Sequence, residues 1–183
     1  FHFINAQTGY FCGTSTFKLQ KTTNAGLNWV QVPNLGTSTL YSVYASDTNN
    51  IIVTSTSGNT YFTTNAGVNW TTSNVGTTNT LYDSKWINAT TGYLCGSTGC
   101  FRYTTNGGAN WQGTSAPTTS TMNRIVVAGS DIYMAGFSST NDMYKSTDNG
   151  ATWTNINYLA SGQYSSFLVY AFDMVGSTML IGG

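Results

Sequence analysis

Thr22-Thr23-Asn24-Ala25-Gly26-Leu27-Asn28-Trp29 returns as Thr63-Thr64-Asn65-Ala66-Gly67-Val68-Asn69-Trp70, as Thr104-Thr105-Asn106-Gly107-Gly108-Ala109-Asn110-Trp111, and as Ser146-Thr147-Asp148-Asn149-Gly150-Ala151-Thr152-Trp153. The four tryptophans stand 41, 41 and 42 residues apart. A unit of about 40 to 45 residues with one tryptophan and no helical periodicity between copies is the mark of a β-propeller, in which each unit folds as one small sheet. In the third unit, turn residues divide the chain into four short runs: Asp83–Asn88, Tyr93–Cys95, Phe101–Thr105 and Trp111 onward. The separators are Thr90-Thr91-Gly92, Gly96-Ser97-Thr98-Gly99 and Asn106-Gly107-Gly108. This grammar predicts an all-β propeller of four-stranded antiparallel blades.

The second run of each unit recurs as Gly9–Gly13, Ile51–Val53, Gly92–Gly96, Tyr133–Gly136 and Met179–Gly182. Its last apolar position holds Cys12, Val53, Cys95, Ala135 and Ile181, small to medium side chains suited to close packing between neighbouring sheets. Counting from Phe1, residues 1–183 read as one propeller domain with units at 1–38, 39–79, 80–120, 121–163 and a partial unit at 164–183. Four and a half blades leave open sheet edges and uncovered apolar flanks, so the expectation is a piece of a larger ring, of about six to eight blades.

Within the eight-residue phrase, Asn24, Asn65, Asn106 and Asp148 are placed to accept hydrogen bonds from backbone N–H groups just ahead and so pin a hairpin. Gly26, Gly67, Gly108 and Gly150 supply a positive φ without steric cost. Trp29, Trp70, Trp111 and Trp153 are expected to fold over the turn into the seam between blades, largely buried. Three copies carry Asn where the fourth carries Asp, so the turn requires an acceptor rather than a charge. These twelve residues read as structural, with no ligand or metal role.

Composition narrows the function. Asp, Glu, Lys and Arg make up 7% of the chain, against about 25% in typical domains. The acids are six Asp with no Glu, balanced by six Lys and Arg, so no basic stripe exists to neutralise phosphates and nucleic acid is excluded as a partner. No apolar run approaches the roughly 18 residues of a membrane span. The single histidine, His2, lacks partners at metal-ligand spacing, and no cofactor is expected. Cys95 and Cys100 flank a four-residue turn and are candidates for a disulfide across the hairpin, while Cys12, the counterpart of Cys95 two units away, is expected to be a buried free thiol. Lys21, Phe62, Tyr103 and Lys145 occupy one repeat position, and variation at a fixed site of a regular array is where surface specificity is written.

Ser146–Trp153 matches the Asp-box pattern S-x-D-x-G-x-T-W at every fixed position. With the Gly-Tyr-x-x-Gly second strand and the 41-residue step, the chain resembles the BNR/Asp-box propellers, and within them the photosystem II stability and assembly factor group. Sialidases share this box, and the resemblance to them would imply an arginine triad, a Tyr–Glu nucleophile pair and an Asp acid/base. Only Arg102 and Arg124 are present, with no Glu. The assembly factors imply an arginine-rich patch that two arginines do not supply. The six Asp are spread over turns and separate first strands, so no carboxylate pair is expected to share a substrate. The reading is therefore a non-catalytic propeller module of a secreted or cell-surface bacterial protein that contacts protein or glycan. Its Thr-, Ser- and Asn-rich composition resembles that of type IX secretion substrates. A sialidase-like enzyme completed by further blades, and a photosystem-type assembly factor, are the alternatives.

Overall fold

The computed structural model describes residues 1–183 except 15, 17, 37, 139–142, 157–166, 169–170, 176–177 and 183. The described residues hold β-strands and turns and no helix. The first sheet contains β1 (His2–Phe3), β2 (Gly9–Cys12), β3 (Leu19–Thr22) and β4 (Val30–Gln31), paired antiparallel in chain order. The second repeats this with β5 (Leu40–Ala45), β6 (Ile51–Ser55), β7 (Asn59–Thr63) and β8 (Thr71–Asn74). The third has β9 (Leu81–Trp86), β10 (Gly92–Gly96) and β11 (Phe101–Thr104). The fourth has β12 (Thr121–Ala128), β13 (Asp131–Ser138), β14 (Met143–Ser146) and β15 (Thr154–Asn155), and β17 (Ala171–Val175) pairs with β18 (Thr178–Gly182) in the last. A chain-order meander of four strands, repeated, is the blade of a β-propeller.

Two departures from the repeat have local causes. In the third blade the fourth strand is reduced to isolated bridges, Tyr103↔Gln112 and Cys100↔Ser115, because Gly113 between them takes φ 123°, a conformation a regular strand excludes. In the fourth blade β14 begins opposite Ala135, which leaves Phe137 and Ser138 of the longer β13 without a ladder partner on that side. A short strand from beyond the fourth unit, β16 (Phe167–Leu168), pairs there and caps the free edge.

The core is divided among the seams between sheets. Tyr10 and Leu19 of the first blade pack with Val43, Ile51 and Val53 of the second. Val75, which follows β8, meets Leu81, Leu94 and Cys100. Phe101 and Cys95 meet Met122, Ile132 and Met134, and Val126 and Ala135 meet Phe172 of the last sheet. Each blade thus buries its flanks on its neighbours, the nearest-neighbour economy of a repeat protein.

The same register separates two residues that the sequence brings together. Cys95 lies opposite Phe101, while Cys100 bonds through its carbonyl to the N–H of Gly96. Because successive side chains of a strand alternate in direction, the one-residue offset sends the thiols into different seams, Cys95 with Met122 and Phe101, Cys100 with Val75 and Leu81. Both are buried and free, so the disulfide considered from their spacing is not formed. Cys12 is free and half-buried, and burial pushes its thiol up to about 11.

Candidate functional site

All four Asp boxes sit between the third and fourth runs of their blades and close in the same way. The first hydroxyl is the hub: Thr22 Oγ1 donates to Asn24 Oδ1 at 2.9 Å and accepts the N–H of Gly26 at 2.9 Å, while Asn24 Oδ1 also accepts the N–H of Asn28 at 2.9 Å. Thr63, Thr104 and Ser146 do the same for Asn65, Asn106 and Asp148. Two consecutive residues take the left-handed region, Ala25 and Gly26, Ala66 and Gly67, Gly107 and Gly108, Asn149 and Gly150. The tryptophans are half-buried rather than enclosed: Trp70, Trp111 and Trp153 pack against the seams between blades, while Trp29 packs on Phe1, Phe3 and Phe11 of its own blade. Trp70 donates from Nε1 to Pro33 O of the preceding blade at 3.1 Å, and Trp111 to Thr60 Oγ1 at 3.2 Å.

A second Asx turn joins the first and second strands. Asn5 accepts from the N–H groups of Gln7 and Thr8, Asp47 from Asn49 and Asn50, and Asn88 from Thr90 and Thr91. The box docks on it: Ala25 N–H reaches Gln7 O, Ala66 reaches Asn49 O and Gly107 reaches Thr90 O. The hydroxyl and Asx side chains of the repeated phrase are therefore consumed in holding turns together.

Asp148 differs from its Asn counterparts in being able to titrate and in accepting a further bond, from the Thr152 hydroxyl, on Oδ2. The Thr152 hydroxyl at 2.6 Å, the Thr152 N–H and the Ser146 hydroxyl hold its carboxyl at about 2. A carboxylate whose pKa is depressed on folding contributes stability above the unfolded value near 3.9, and that contribution is lost as pH falls toward the folded value. Acid between about pH 4 and 2 is therefore expected to loosen the fourth box through Asp148. Asp148→Asn should remove that component of the acid transition, read by thermal melts at pH 2, 3 and 4. An unchanged pH profile in the variant would contradict it.

What remains for function is the inner face. A cavity of about 410 Å³ is lined by the first strands of all five sheets, through His2, Tyr41–Tyr44, Asp83–Trp86, Arg124–Val126 and Phe172–Asp173. Three of these strands carry a β-bulge at one repeat position, with Tyr41, Tyr82 and Asn123 as the extra residues. A bulge bends the strand and re-aims the neighbouring side chain, here Ser42, Asp83 and Arg124. Tyr41 is 40% exposed at the rim and meets Tyr82 edge-on at 5.0 Å. Below them an aromatic path crosses three blades: His2 lies 4.9 Å from Tyr44, whose ring stacks flat on Trp86 at 5.0 Å, and Trp86 meets Trp111 edge-on at 5.9 Å. His2 also bonds from Nε2 to Ala45 O at 2.8 Å, and burial lowers its pKa.

Asp83 has a defined task. Its Oδ2 accepts the N–H of Ile125 on the next blade at 3.2 Å, and Oδ1 accepts that of Ser84 at 2.9 Å. Ser42, one unit earlier, accepts the N–H of Ser84 from the next blade at 3.2 Å. The position is a strut between first strands, filled by a hydroxyl in one blade and a carboxylate in the next. The Asp83 residue keeps some surface, but its carboxyl lies deep among the strands, and this burial pushes its pKa up against the opposing effects of the Ile125 N–H and the Arg124 charge.

Asp83 and Asp173, expected on separate strands with nothing in common, line this one cavity, because every first strand of a propeller faces the same axis. Asp131 instead stands at the blade edge in an ion pair with Lys145 at 2.7 Å, and Asp142 lies outside the described residues. Among the described residues no three His, Cys, Asp or Glu converge as a metal site, and no helix is long and apolar enough to cross a membrane.

The family described as Photosynthesis system II assembly factor YCF48 matches residues 68–174, more than half of the chain. The chain belongs to this family. Among solved structures, YCF48 bound to D1 peptide superposes with a TM-score of 0.73 at 16% identity, over 100% of this chain and 59% of that one. The GH74 enzyme of Niastella koreensis is similar over 84% of this chain and 23% of its own, with a TM-score of 0.60 and 19% identity. PorZ, a surface component of the type-IX secretion system of Porphyromonas gingivalis, gives 0.58 and 14% over 96% and 22%. At these identities the likeness shows the fold, and the chain spans about three fifths or less of each of these three structures. No curated protein sequence matches it.

Proposed function

We propose that this propeller is a non-catalytic binding module of an exported bacterial protein displayed at the cell surface, and that an extended segment of a partner protein docks at the mouth of its central cavity. The observation that carries the reading is the repeated bulge: three first strands use one device to set Tyr41 and Ser42, Asp83, and Arg124 around one opening, with the Tyr82 ring against that of Tyr41. A constant backbone with variable side chains is how a repeat protein encodes a partner. The related YCF48 structure contains a bound peptide, which supports a protein ligand for this fold. The Thr/Ser/Asn-rich, Glu-free composition supports export, and the likeness to PorZ supports the type IX route.

The rival reading, a glycan-cleaving enzyme, gains weight from Asp83 and Asp173 lining one cavity. Against it, both Asp83 oxygens already accept backbone N–H groups, and a hydroxyl serves the same position one blade earlier. A general acid must present its proton to the substrate. Asp83→Asn and Asp173→Asn are therefore expected to leave any glycoside turnover of the protein within about twofold, whereas removal of a working acid or base costs roughly a hundredfold or more. Such a loss with folding intact would make the mouth an active site. For the binding reading, Tyr41→Ala combined with Tyr82→Ala should weaken partner binding at least tenfold by calorimetry. Unchanged affinity would move the interface elsewhere.

A further inference from the structure

Between the third and fourth blades, on the side where the Asp boxes lie, opens a groove of about 570 Å³ bordered by Tyr93, Tyr103, Gln112, Thr114 and Asn149. Its counterparts elsewhere in the chain are built differently. Where this groove has Tyr103, the first and fourth blades have lysines, Lys21 with its ammonium 5.9 Å from the Tyr10 ring centre and Lys145 5.5 Å from that of Tyr133. The second blade has Ile52 and Phe62 at the positions of Tyr93 and Tyr103, an apolar pair. Only the third blade, among the described residues, puts two tyrosines there without a cation.

Three further features act on the same space. The outer strand of this blade is thinned to two bridges around Gly113, which holds back the edge that β8 supplies in the second blade. The Tyr103 hydroxyl bonds to Gln112 Oε1 at 3.1 Å, fixing that amide with its NH₂ free to donate. Asn149 stands in the left-handed conformation at φ 58°, at the box position occupied by Ala25, Ala66 and Gly107 in the other copies. Only in the copy facing this groove does the position carry an amide, and its Oδ1 lies 3.5 Å from the Tyr93 hydroxyl. The one formal charge at the rim, Asp148, is tied into its own turn by Ser146 and Thr152.

Aromatic surface flanked by oriented amides and hydroxyls, with no cation among the lining residues and one carboxylate already engaged in its turn, matches a ligand that offers C–H faces and many neutral hydroxyls. We infer that this groove binds a neutral saccharide unit, with Tyr103 as the stacking platform and Asn149 and Gln112 as the hydrogen-bonding pair. The site is separate from the central mouth and does not rest on what docks there.

The test is calorimetric titration of the protein with five neutral tetrasaccharides: cellotetraose, xylotetraose, mannotetraose, maltotetraose and laminaritetraose. At least one is expected to bind saturably. Asn149→Ala should weaken that binding tenfold or more without harming the fold, because alanine already occupies this turn position at Ala25 and Ala66. Tyr103→Ala and Gln112→Ala should weaken it similarly, and Arg124→Ala at the central mouth should leave it unchanged. Absence of saturable binding to all five, or binding untouched by Asn149→Ala and Tyr103→Ala, would overturn the inference. Loss with Arg124→Ala alone would overturn it too, by placing the sugar at the mouth.

Discussion

Gly150→Ala is expected to destabilise the protein by roughly 2–5 kcal/mol, combining overpacking with the cost of a left-handed alanine. A Cβ built on Gly150, at φ 87°, falls 2.1 Å from Phe101 Cε1, and Phe101 is fully buried in the seam between the third and fourth blades. The aromatic ring cannot withdraw without opening that seam. Gly26 holds the same box position in the first blade at φ 89°, but its Cβ would meet nothing closer than Trp29 at 3.6 Å. Gly26→Ala should therefore cost only the backbone term, about 1–2 kcal/mol. Equal melting-temperature losses for the two variants would show that the box glycines serve conformation alone and not blade packing.

Trp111→Ala should cost about 3–5 kcal/mol, the range for removing a large aromatic from a packed site. Its ring closes the seam against Val75, Leu81, Leu94 and Cys100, meets Trp86 edge-on, and donates to the buried Thr60 hydroxyl of the preceding blade. Truncation removes all three contacts and exposes the second-to-third blade seam. For a chain of this size each kcal/mol moves the melting temperature by about 2–4 °C, so calorimetry should record a fall on the order of 10 °C. A loss below about 1 kcal/mol would contradict a structural role for the box tryptophans, since that is the scale of an ordinary surface substitution.

The boxes were legible because four copies at a fixed step state their own alignment, and turn chemistry follows from residue type at each position. Their hub was less obvious: Thr22, Thr63, Thr104 and Ser146 read as routine strand-end hydroxyls until the geometry shows each bonded to the Asx side chain and to the box glycine N–H. The tryptophan burial was overestimated, because a side chain that covers a turn keeps one edge in water, and Trp29 packs only on its own blade. Cys95 and Cys100 show how little spacing says about pairing: a one-residue offset in register reverses the face on which a side chain lies, and the turn alone does not set that offset. The weak fourth strand of the third blade had a visible signal, Gly113 followed by Pro117, which the regularity of the repeat masked.

The inner face was the least legible part, for a physical reason. Bulges at Tyr41, Tyr82 and Asn123 leave no residue-type signature, and the side chains they aim differ from blade to blade because variation is what a binding face requires. Aligning the first strands at the 41-residue step, Tyr41-Ser42 over Tyr82-Asp83 over Asn123-Arg124, was the available clue. Even that alignment would not reveal that Ser42 and Asp83 are struts, since the N–H groups they accept belong to the following blade.

The central claim, that the mouth of the cavity is where a partner protein docks, is tested most directly by site-specific photo-crosslinking in the native host. A benzophenone amino acid placed at Tyr41, on the exposed rim, should yield a discrete protein adduct identifiable by mass spectrometry. The same probe at Thr72, exposed on the outer strand β8, should yield none. Adducts from Thr72 with none from Tyr41 would contradict the account and place the interface on the outer rim of the propeller.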